Sequence, residues 1–251
     1  MRIDAESLCW GVPARVIVDD VALSVDTGEV LGLVGPNGSG KSSLLRCLAG
    51  LRKPRSGTVR YGGSDIADWD SKRIARRVAF VDQYTDTESD LLVADLVALG
   101  RTPFHSNWRG HDHRDDAVVN AALRRMGLAE LRARPWKTLS GGERQRTHIA
   151  RALAQEPSAI LLDEPTNHLD IAHQLDLMRL LAGAGRTAVV VLHDLSLAAR
   201  FCDRLALMGG GRVVASGAPL DVLTPARIAE VFGVEAEVGP DRFGDAHIYY
   251  R

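Results

Sequence analysis

The 251-residue chain has few cysteines and almost no net charge, and each of these features excludes a class of protein. Its three cysteines, Cys9, Cys47 and Cys202, lack C-x-x-C spacing, which excludes a disulfide framework or a zinc ribbon and suits a reducing compartment. The 31 Lys and Arg residues nearly balance the 32 Asp and Glu residues, so the formal net charge is −1. A whole-molecule electrostatic attraction to nucleic acid or to an anionic membrane is therefore not indicated.

Long apolar runs are also missing from the sequence. No run reaches the ~20 residues that a membrane-spanning helix needs. The N-terminal segment carries Arg2, Asp4 and Glu6 and has no apolar stretch of the kind that a signal peptide requires. We therefore expect the protein to stay in the cytoplasm and to work at a membrane only by docking onto a partner that spans it.

Segments with strand character alternate with segments of helical periodicity along most of the chain. We predict strands at residues 16–18, 21–25, 29–34, 77–81, 159–162, 188–192 and 204–208, with a turn and a strand within 51–63. We predict helices at residues 41–48, 91–99, 117–126 and 143–154, with a polar loop at 104–116. This alternation indicates an α/β fold with a parallel sheet that is interrupted by an inserted helical lobe.

Residues 35–42 read GPNGSGKS and match the phosphate-binding pattern G-x-x-x-x-G-K-[ST] in full, between an apolar strand and a helix. Glycines let backbone N–H groups curve around phosphates, Lys41 would reach the β- and γ-phosphates, and Ser42 would ligate Mg²⁺. The predicted ATP-binding residues of this segment are Gly35, Pro36, Asn37, Gly38, Ser39, Gly40, Lys41, Ser42 and Ser43. The alternative is a glycine-rich turn with an accidental lysine, which does not account for the order of strand, loop and helix.

The predicted strand at residues 159–162 ends in two adjacent carboxylates, Asp163 and Glu164. Unpaired buried charge is costly, so a buried strand has no structural use for two acidic residues at its end. The pair makes chemical sense if Asp163 holds Mg²⁺ through its water shell and Glu164 polarises an attacking water. For the pair taken alone, a solvated strand end is the alternative.

Residues 139–145 read LSGGERQ and lie ahead of a predicted helix. Because N–H groups at a helix N-terminus attract anions, Ser140, Gly141, Gly142 and Glu143 form a second candidate phosphate-binding segment. The same residues fit a capping box, with Ser140 as the N-cap and Glu143 three residues later. Both interpretations can hold, since capping and phosphate binding use the same amides.

With these three motifs, the sequence resembles the nucleotide-binding subunit of an ABC transporter along essentially its whole length, and residues 139–145 resemble the signature motif of that family. The resemblance implies an α/β fold with a P-loop NTPase (RecA-like) core, an antiparallel β subdomain and an inserted α-helical signature subdomain. It implies one ABC ATPase domain over residues 1–251, in which residues 1–83 and 156–251 form the core with the β subdomain. Residues 84–155 then form the helical subdomain with the signature motif.

The resemblance also implies roles for residues outside the three motifs. Gln83 is similar to the Q-loop glutamine that senses Mg²⁺ and the lytic water, and His193 is similar to the switch histidine that contacts the γ-phosphate. Asp170 is similar to the D-loop aspartate, which faces the partner subunit. The implied catalytic residues are Glu164, His193 and Gln83, and the implied Mg²⁺ ligands are Ser42, Gln83 and Asp163.

Trp10 lies where the family usually has an adenine-stacking tyrosine, in what we predict to be a short irregular loop at residues 9–13. The resemblance implies that the indole stacks on adenine, for which its large π-face is suitable. Packing of Trp10 in the core is the alternative.

In ABC transporters two ATPase subunits face each other head to tail, so the resemblance implies a homodimer. Each ATP then lies between the Lys41 loop of one chain and residues 140–142 of the other, ATP drives closure, and hydrolysis lets the dimer reopen. Further implied partners are two integral-membrane permease subunits and, indirectly, an extracellular substrate-binding protein, with no nucleic acid. The implied location is the cytoplasmic face of the cell membrane, where the permease holds the ATPase.

Residues 98–103 (ALGRTP), residues 167–170 (NHLD) and the end of the chain near residue 251 resemble the ATPases of iron–siderophore, haem and vitamin B12 importers. For the first segment, a simple helix stop formed by Gly100 and Pro103 is the alternative. The expected function is ATP hydrolysis coupled to uptake of an iron chelate or cobalamin, with Mg²⁺ as the cofactor. The alternatives are an ABC ATPase of another importer or an exporter, and an ABC ATPase that acts on ribosomes or DNA without a membrane subunit.

The polar loop at residues 104–116 contains His105, His111 and His113, and a His-x-His pair is a possible metal-ligand pair. A glycine-containing loop of mixed His, Arg and Asp is more typical of solvated surface. We therefore predict no metal site in this loop.

Overall fold

A computed structural model describes residues 1–83, 90–105, 113–183, 185–242 and 246–251 of the chain. Within these residues the strands are β1 (Ile3–Val12), β2 (Arg15–Val25), β3 (Val30–Val34), β4 (Ser56–Tyr61), β5 (Ser64–Asp65), β6 (Val78–Val81), β7 (Ala159–Asp163), β8 (Thr187–Val191), β9 (Arg204–Gly209), β10 (Arg212–Gly217), β11 (Ala236–Pro240) and β12 (Ala246–Tyr250). The helices are α1 (Lys41–Leu48), α2 (Ser71–Ala75), α3 (Val93–Ala98), α4 (His113–Arg125), α5 (Gly141–Ala154), α6 (Ile171–Ala182), α7 (Leu195–Phe201), α8 (Pro219–Val222) and α9 (Pro225–Phe232).

A mostly parallel sheet with the strand order β10-β9-β3-β8-β7-β6 forms the centre of the α/β fold. Strands β3, β7 and β8 are buried along their whole length, which is typical of a parallel sheet covered on both faces. In β3, Leu31 and Leu33 pack in the apolar cluster that contains α1, whereas Val30 and Val34 pack in the cluster of α5, α6 and α7. The strands predicted near these positions are confirmed, and their carboxyl ends lie at one edge of the sheet.

A second, antiparallel sheet with the order β2-β1-β4-β5 packs against α1. The predicted irregular loop at residues 9–13 is wrong, because β1 continues to Val12 and pairs with β2 as far as Arg15. The strand follows this path by way of shifts in register near Leu8 and Trp10, which absorb the irregularity. The start of β2 lies beside the loop between β3 and α1, since Arg15 and Ile17 line a cavity together with residues of that loop.

Helices α3, α4 and α5 pack together around the buried Trp136, between β6 and β7 in the chain. The predicted polar loop at residues 104–116 extends too far, because α4 begins at His113. Asp115 is buried in its first turn, where the guanidinium of Arg101 at 2.7 Å compensates its charge and the ring of His105 lies 2.6 Å from its carboxylate. His111 lies outside the described residues, and the domain boundaries at 83 and 156 stay a prediction.

The ALGRTP segment, residues 98–103, begins at the last residue of α3. The chain then continues as a 3₁₀ helix over Leu99–Phe104. A Cβ atom on Gly100 would lie 2.2 Å from the carbonyl oxygen of Arg151, so the turn packs directly on the backbone of α5. Arg101 is buried and donates to the carbonyl oxygen of Ala154 at 2.9 Å. The segment is therefore a helix end that also ties the helical region together.

At the end of the chain, β11 and β12 form an antiparallel pair that packs beside α7 and α9. None of the helices in the described ranges is both long enough and apolar enough to cross a membrane.

Candidate functional site

The phosphate loop joins β3 to α1 at the carboxyl edge of the central sheet. The N-cap of α1 is Gly40, which has a φ of 101° and offers no side-chain cap. A Cβ atom at this position would lie 2.5 Å from the carbonyl oxygen of Ile17, so a side chain is excluded. The first N–H groups of α1 are therefore suited to binding an anion.

Lys41 supplies the positive charge of this loop. It is buried, and its ammonium group donates to the carbonyl oxygens of Gly35 at 2.7 Å and of Pro36 at 2.9 Å. Burial lowers the pKa of Lys41, and the carboxylates of Glu164 and Asp163 oppose this effect. A phosphate bound in the loop would favour the charged lysine and would be stabilised by it.

A cavity of about 230 Å³ opens above the loop, and it brings most of the predicted phosphate-binding residues together. Its lining residues are Arg15, Ile17, Asn37, Gly38, Gly40, Lys41, Ser42, Ser43 and Glu164. Arg15 and Ile17 were not predicted, because they reach the cavity from β2 and carry no local motif. The cavity therefore combines a phosphate loop, a carboxylate and a cationic rim.

Trp10 does not line this cavity. Its ring packs against the core of the β1 sheet, and the guanidinium carbon of Arg52 lies 4.1 Å from the ring centroid. Arg52 also donates to the Ser43 hydroxyl at 3.1 Å, which connects the indole indirectly to the phosphate loop. Adenine stacking by Trp10 stays a prediction.

Asp163 is fully buried at the end of β7. Its Oδ1 accepts a hydrogen bond from the Ser42 hydroxyl at 2.9 Å, whereas its Oδ2 has no hydrogen-bond partner within the described part of the chain. Burial raises the pKa of Asp163, the Ser42 bond and the Arg46 charge lower it, and Glu164 and Asp82 raise it further. A buried carboxylate oxygen without a donor, beside a hydroxyl, fits a hard cation such as Mg²⁺.

Glu164 lies directly after β7 and has a φ of 50°, a left-handed conformation that is strained for a residue with a side chain. Its Oε1 lies 2.6 Å from Nε2 of His193, and its Oε2 accepts from the side-chain amide of Asn167 at 2.8 Å. The side-chain amide of Gln83 donates to the same Oε2. The structure thus brings Gln83, Glu164 and His193 together from the ends of three neighbouring strands, and it adds Asn167, whose contact with Glu164 was not predicted.

The LSGGERQ segment begins α5. The Ser140 hydroxyl accepts from the N–H of Glu143 at 3.3 Å, while the Glu143 carboxylate accepts from the N–H of Ser140 at 2.7 Å. This confirms the capping box. The N–H and hydroxyl of Ser140 together lower the pKa of Glu143. The helix start is therefore capped by its own side chains, and its first glycine, Gly141, is exposed.

A second cavity, of about 470 Å³, lies over this helix start and shares no residue with the first. Its lining residues are Ser140, Gly141, Gly142, Glu143, Arg146, His168, Leu169, Asp170 and His173. Asp170 caps α6 by accepting from the N–H of His173 at 2.9 Å, and the His173 ring lies 2.7 Å from the same oxygen. One chain therefore carries two separate phosphate-suited surfaces.

The family model described as ABC transporter matches residues 18–167, a range that includes the phosphate loop, the signature segment and the Asp163–Glu164 pair. The chain belongs to the ABC transporter family. It is 43% identical over 258 residues to the hemin import ATP-binding protein HmuV of Rhodopseudomonas palustris, covering 98% of this chain and 93% of that protein. It is 44% identical over 245 residues to the cobalamin import ATP-binding protein BtuD of Halobacterium salinarum, covering 96% of this chain and 61% of that protein.

A solved ABC transporter of the metal-chelate type, in an inward-facing conformation, has a similar fold. It superimposes with a TM-score of 0.85 at 25% identity and covers 99% of this chain and 97% of that chain. The predicted fold class, a P-loop NTPase α/β core with antiparallel β strands and inserted helices, is therefore confirmed.

The buried carboxylate of Asp163 leads to a prediction about stability. Its pKa is raised in the folded chain, so the folded state favours the protonated form. The cost of keeping it ionised is therefore absent at low pH and develops as the pH rises through and above the ordinary carboxyl range. We expect Asp163→Asn, which keeps an acceptor for Ser42, to raise the unfolding temperature of the nucleotide-free protein at pH 7, by about 2–4 °C for each kcal/mol relieved.

Thermal unfolding between about pH 4 and pH 8 measures this effect, and the gain from Asp163→Asn should shrink toward the acidic end. The matched control is Asp176→Asn on α6, because the Asp176 side chain is 69% exposed and changes little on folding. A lower unfolding temperature for Asp163→Asn at pH 7, or a gain that does not depend on pH, would contradict the account.

Proposed function

We propose that this chain is the ATP-hydrolysing subunit of an ABC importer that takes up an iron chelate, such as a siderophore or haem, or cobalamin, through a separate permease. The observation that carries the ATPase part is the meeting of Gln83, Glu164 and His193 beside the Lys41 loop. Glu164 lines the same cavity as Lys41 and Ser42, so a phosphate and a base that can activate water share one space.

ATP binds with its phosphates along residues 35–43, where the N–H groups of the loop and of α1 supply hydrogen bonds and Lys41 supplies charge. The adenine of the bound ATP extends toward the rim of the cavity that Arg15 and Ile17 form. Trp10 is the candidate for stacking on adenine. Because Arg52 covers one face of its ring, stacking uses the other face or displaces the guanidinium.

Ser42, Asp163 and Gln83 are the residues that would hold Mg²⁺. The ion, when bound, neutralises charge on the β- and γ-phosphates. Ser42 would offer its hydroxyl and Asp163 its Oδ2, which accepts no hydrogen bond from the described residues and lies 3.6 Å from Nη2 of Arg46. The amide nitrogen of Gln83 donates to Glu164, which leaves the amide oxygen of Gln83 for the ion.

Hydrolysis uses Glu164 as the base that polarises the attacking water and His193 as the contact to the γ-phosphate. Both oxygens of Glu164 are already oriented, one by His193 and the other by Asn167 and Gln83. A side chain that its neighbours already hold in place loses little conformational entropy when it acts as the base.

Two copies of the chain complete the site. The signature cavity, lined by Ser140, Gly141 and Gly142, is separate from the Lys41 cavity, so one chain binds an ATP on only one side. A second copy placed head to tail brings its Ser140 segment to the exposed phosphates, and Asp170 of each chain faces the partner. ATP favours this closed dimer, and its hydrolysis removes the group that joins the two surfaces.

The ATPase dimer works at the cytoplasmic face of the membrane, bound to two permease subunits. A substrate-binding protein outside the cell delivers the substrate and touches the permease only. The substrate class is supported by the hemin and cobalamin import relatives, which match nearly the whole of this chain, and by the fold similarity to a metal-chelate transporter. Other ABC transporters and ABC ATPases without membrane subunits are the competing functions, and isolation of the chain with an integral membrane protein separates the second of these from transport.

The catalytic proposal predicts the behaviour of Glu164→Gln. This change removes the base but keeps the size of the side chain and one of its two acceptor oxygens, so ATP binds and the dimer closes without turning over. We expect phosphate release to fall by about 10²–10⁴-fold. Light scattering should show a dimer with MgATP and a monomer with MgADP.

Glu230→Gln is the matched control, because Glu230 is exposed on α9 away from both cavities. It should hydrolyse ATP like the unchanged protein. Turnover at the unchanged rate in Glu164→Gln would show that another group is the base.

The substrate proposal predicts the uptake phenotype of cells that lack this chain. Uptake of one of three radiolabelled compounds, an iron–siderophore, haem or cobalamin, should be lost. It should return when the gene is restored but not when the Glu164→Gln form is supplied. Normal uptake of all three compounds would contradict the substrate class and leave the ATPase assignment standing.

A further inference from the structure

Arg46 lies on α1 one turn after Ser42, so both side chains leave the same side of the helix. Its Nη2 atom donates to Oδ1 of Asp82 at 2.7 Å and lies 3.6 Å from Oδ2 of Asp163. One guanidinium nitrogen therefore bridges two carboxylates that belong to different strands.

The two carboxylates are neighbours because β6 and β7 are adjacent and parallel. Val81 pairs with Leu162 in the sheet, so Asp82 and Asp163 follow at the ends of the two strands. The Asp163 side chain is fully buried and that of Asp82 is 36% exposed. Like charges placed side by side repel, and the repulsion is stronger where one of them has lost its water. Arg46 supplies the cation that lets both acidic residues occupy these positions.

Asp82 also forms a hydrogen bond with the backbone of Gln83. Its Oδ1, which accepts from Arg46, also accepts from the N–H of Gln83 at 2.9 Å. The Gln83 side chain then reaches Glu164. The backbone of Gln83 is therefore linked through Asp82 to a side chain of α1, the helix that also carries Ser42.

We propose that Arg46 is a positioning residue for Mg²⁺ binding: by bridging Asp82 and Asp163, it sets the spacing at which Ser42, Asp163 and Gln83 meet one ion. The inference rests on the function proposed above, which assigns those three residues to the ion. Arg46 would act through its neighbours, since its guanidinium contacts the carboxylates of Asp82 and Asp163.

Arg46→Met tests the proposal, because it removes the charge and keeps an unbranched side chain of similar length. Arg46→Lys is the conservative variant, since a single ammonium nitrogen can occupy the place of Nη2. Arg60→Met is the matched control. Arg60 lies on β4, makes an exposed ion pair of 2.6 Å with Glu6 and lines neither of the two cavities described above.

Two measurements separate ion binding from nucleotide binding. For Arg46→Met, the Mg²⁺ concentration that gives half-maximal ATPase activity should rise by about 10–100-fold, the usual effect of removing a group that orients metal ligands. Binding of a fluorescent non-hydrolysable ATP analogue in EDTA should stay within about twofold of the unchanged protein, because the phosphate loop is intact. Addition of Mg²⁺ should strengthen that binding in the unchanged protein, in Arg46→Lys and in Arg60→Met, and strengthen it less in Arg46→Met.

The double variant Arg46→Met with Asp82→Asn distinguishes positioning from folding. It removes the cation together with one of the two charges that the cation separates, so its thermal unfolding should return toward that of the unchanged protein. Its Mg²⁺ requirement should stay raised, because the Arg46 bridge between Asp82 and Asp163 is still absent. This variant also keeps the test decisive if Arg46→Met alone does not fold.

The proposal is overturned if Arg46→Met, or the double variant, has the Mg²⁺ requirement of Arg60→Met, or if the requirement simply follows thermal stability. Failure of the unchanged protein to bind the analogue or to hydrolyse ATP would instead overturn the proposed function. The two failures are thereby distinguishable.

Discussion

Burial of the Asp163 carboxylate at the end of β7 is the constraint on which the arrangement of the site depends. A charge without water needs compensation, and the fold supplies it from α1, where Ser42 donates at 2.9 Å and Arg46 stands 3.6 Å away. The same helix begins with Lys41, so α1 carries both a phosphate-binding residue and the two side chains that stabilise the buried carboxylate. Glu164 follows immediately in the chain, which places a candidate base beside the candidate metal ligand.

Two helix N-termini give the chain two surfaces of similar chemistry that differ in their capping. The start of α1 is open, because Gly40 brings no capping side chain. The start of α5 is closed by reciprocal bonds between Ser140 and Glu143. An anion that uses the amides of α1 is also suited to the glycine amides of α5, but the two cavities of one chain have no residue in common. The proposed head-to-tail dimer would bring these two surfaces together on one nucleotide.

The sequence predicts the parts of the site that are written contiguously. The phosphate loop, the Asp163–Glu164 pair and the signature segment are local patterns, each beside one helix or strand. The fold class is implied by the alternation of strands and helices and by the family resemblance that these patterns carry. The Arg46–Asp82 bridge joins residues 36 positions apart, and an arginine on a helix has no pattern that distinguishes it from a solvated one. The predicted polar loop at residues 104–116 overlaps the start of α4 for a related reason. The charge of Asp115 is compensated by Arg101 through a tertiary contact, which the local sequence does not reveal.

Cross-linking between two differently tagged copies tests the central claim most directly, that a nucleotide joins the phosphate loop of one chain to the signature segment of another. One copy carries Asn37→Cys in the exposed part of the loop, and the other carries Ser140→Cys at the exposed helix start. The account predicts a disulfide-linked species containing both tags that forms with MgATP and not with MgADP, and that is absent when either cysteine is omitted. Absence of the link under MgATP, or its formation regardless of nucleotide, would contradict the account.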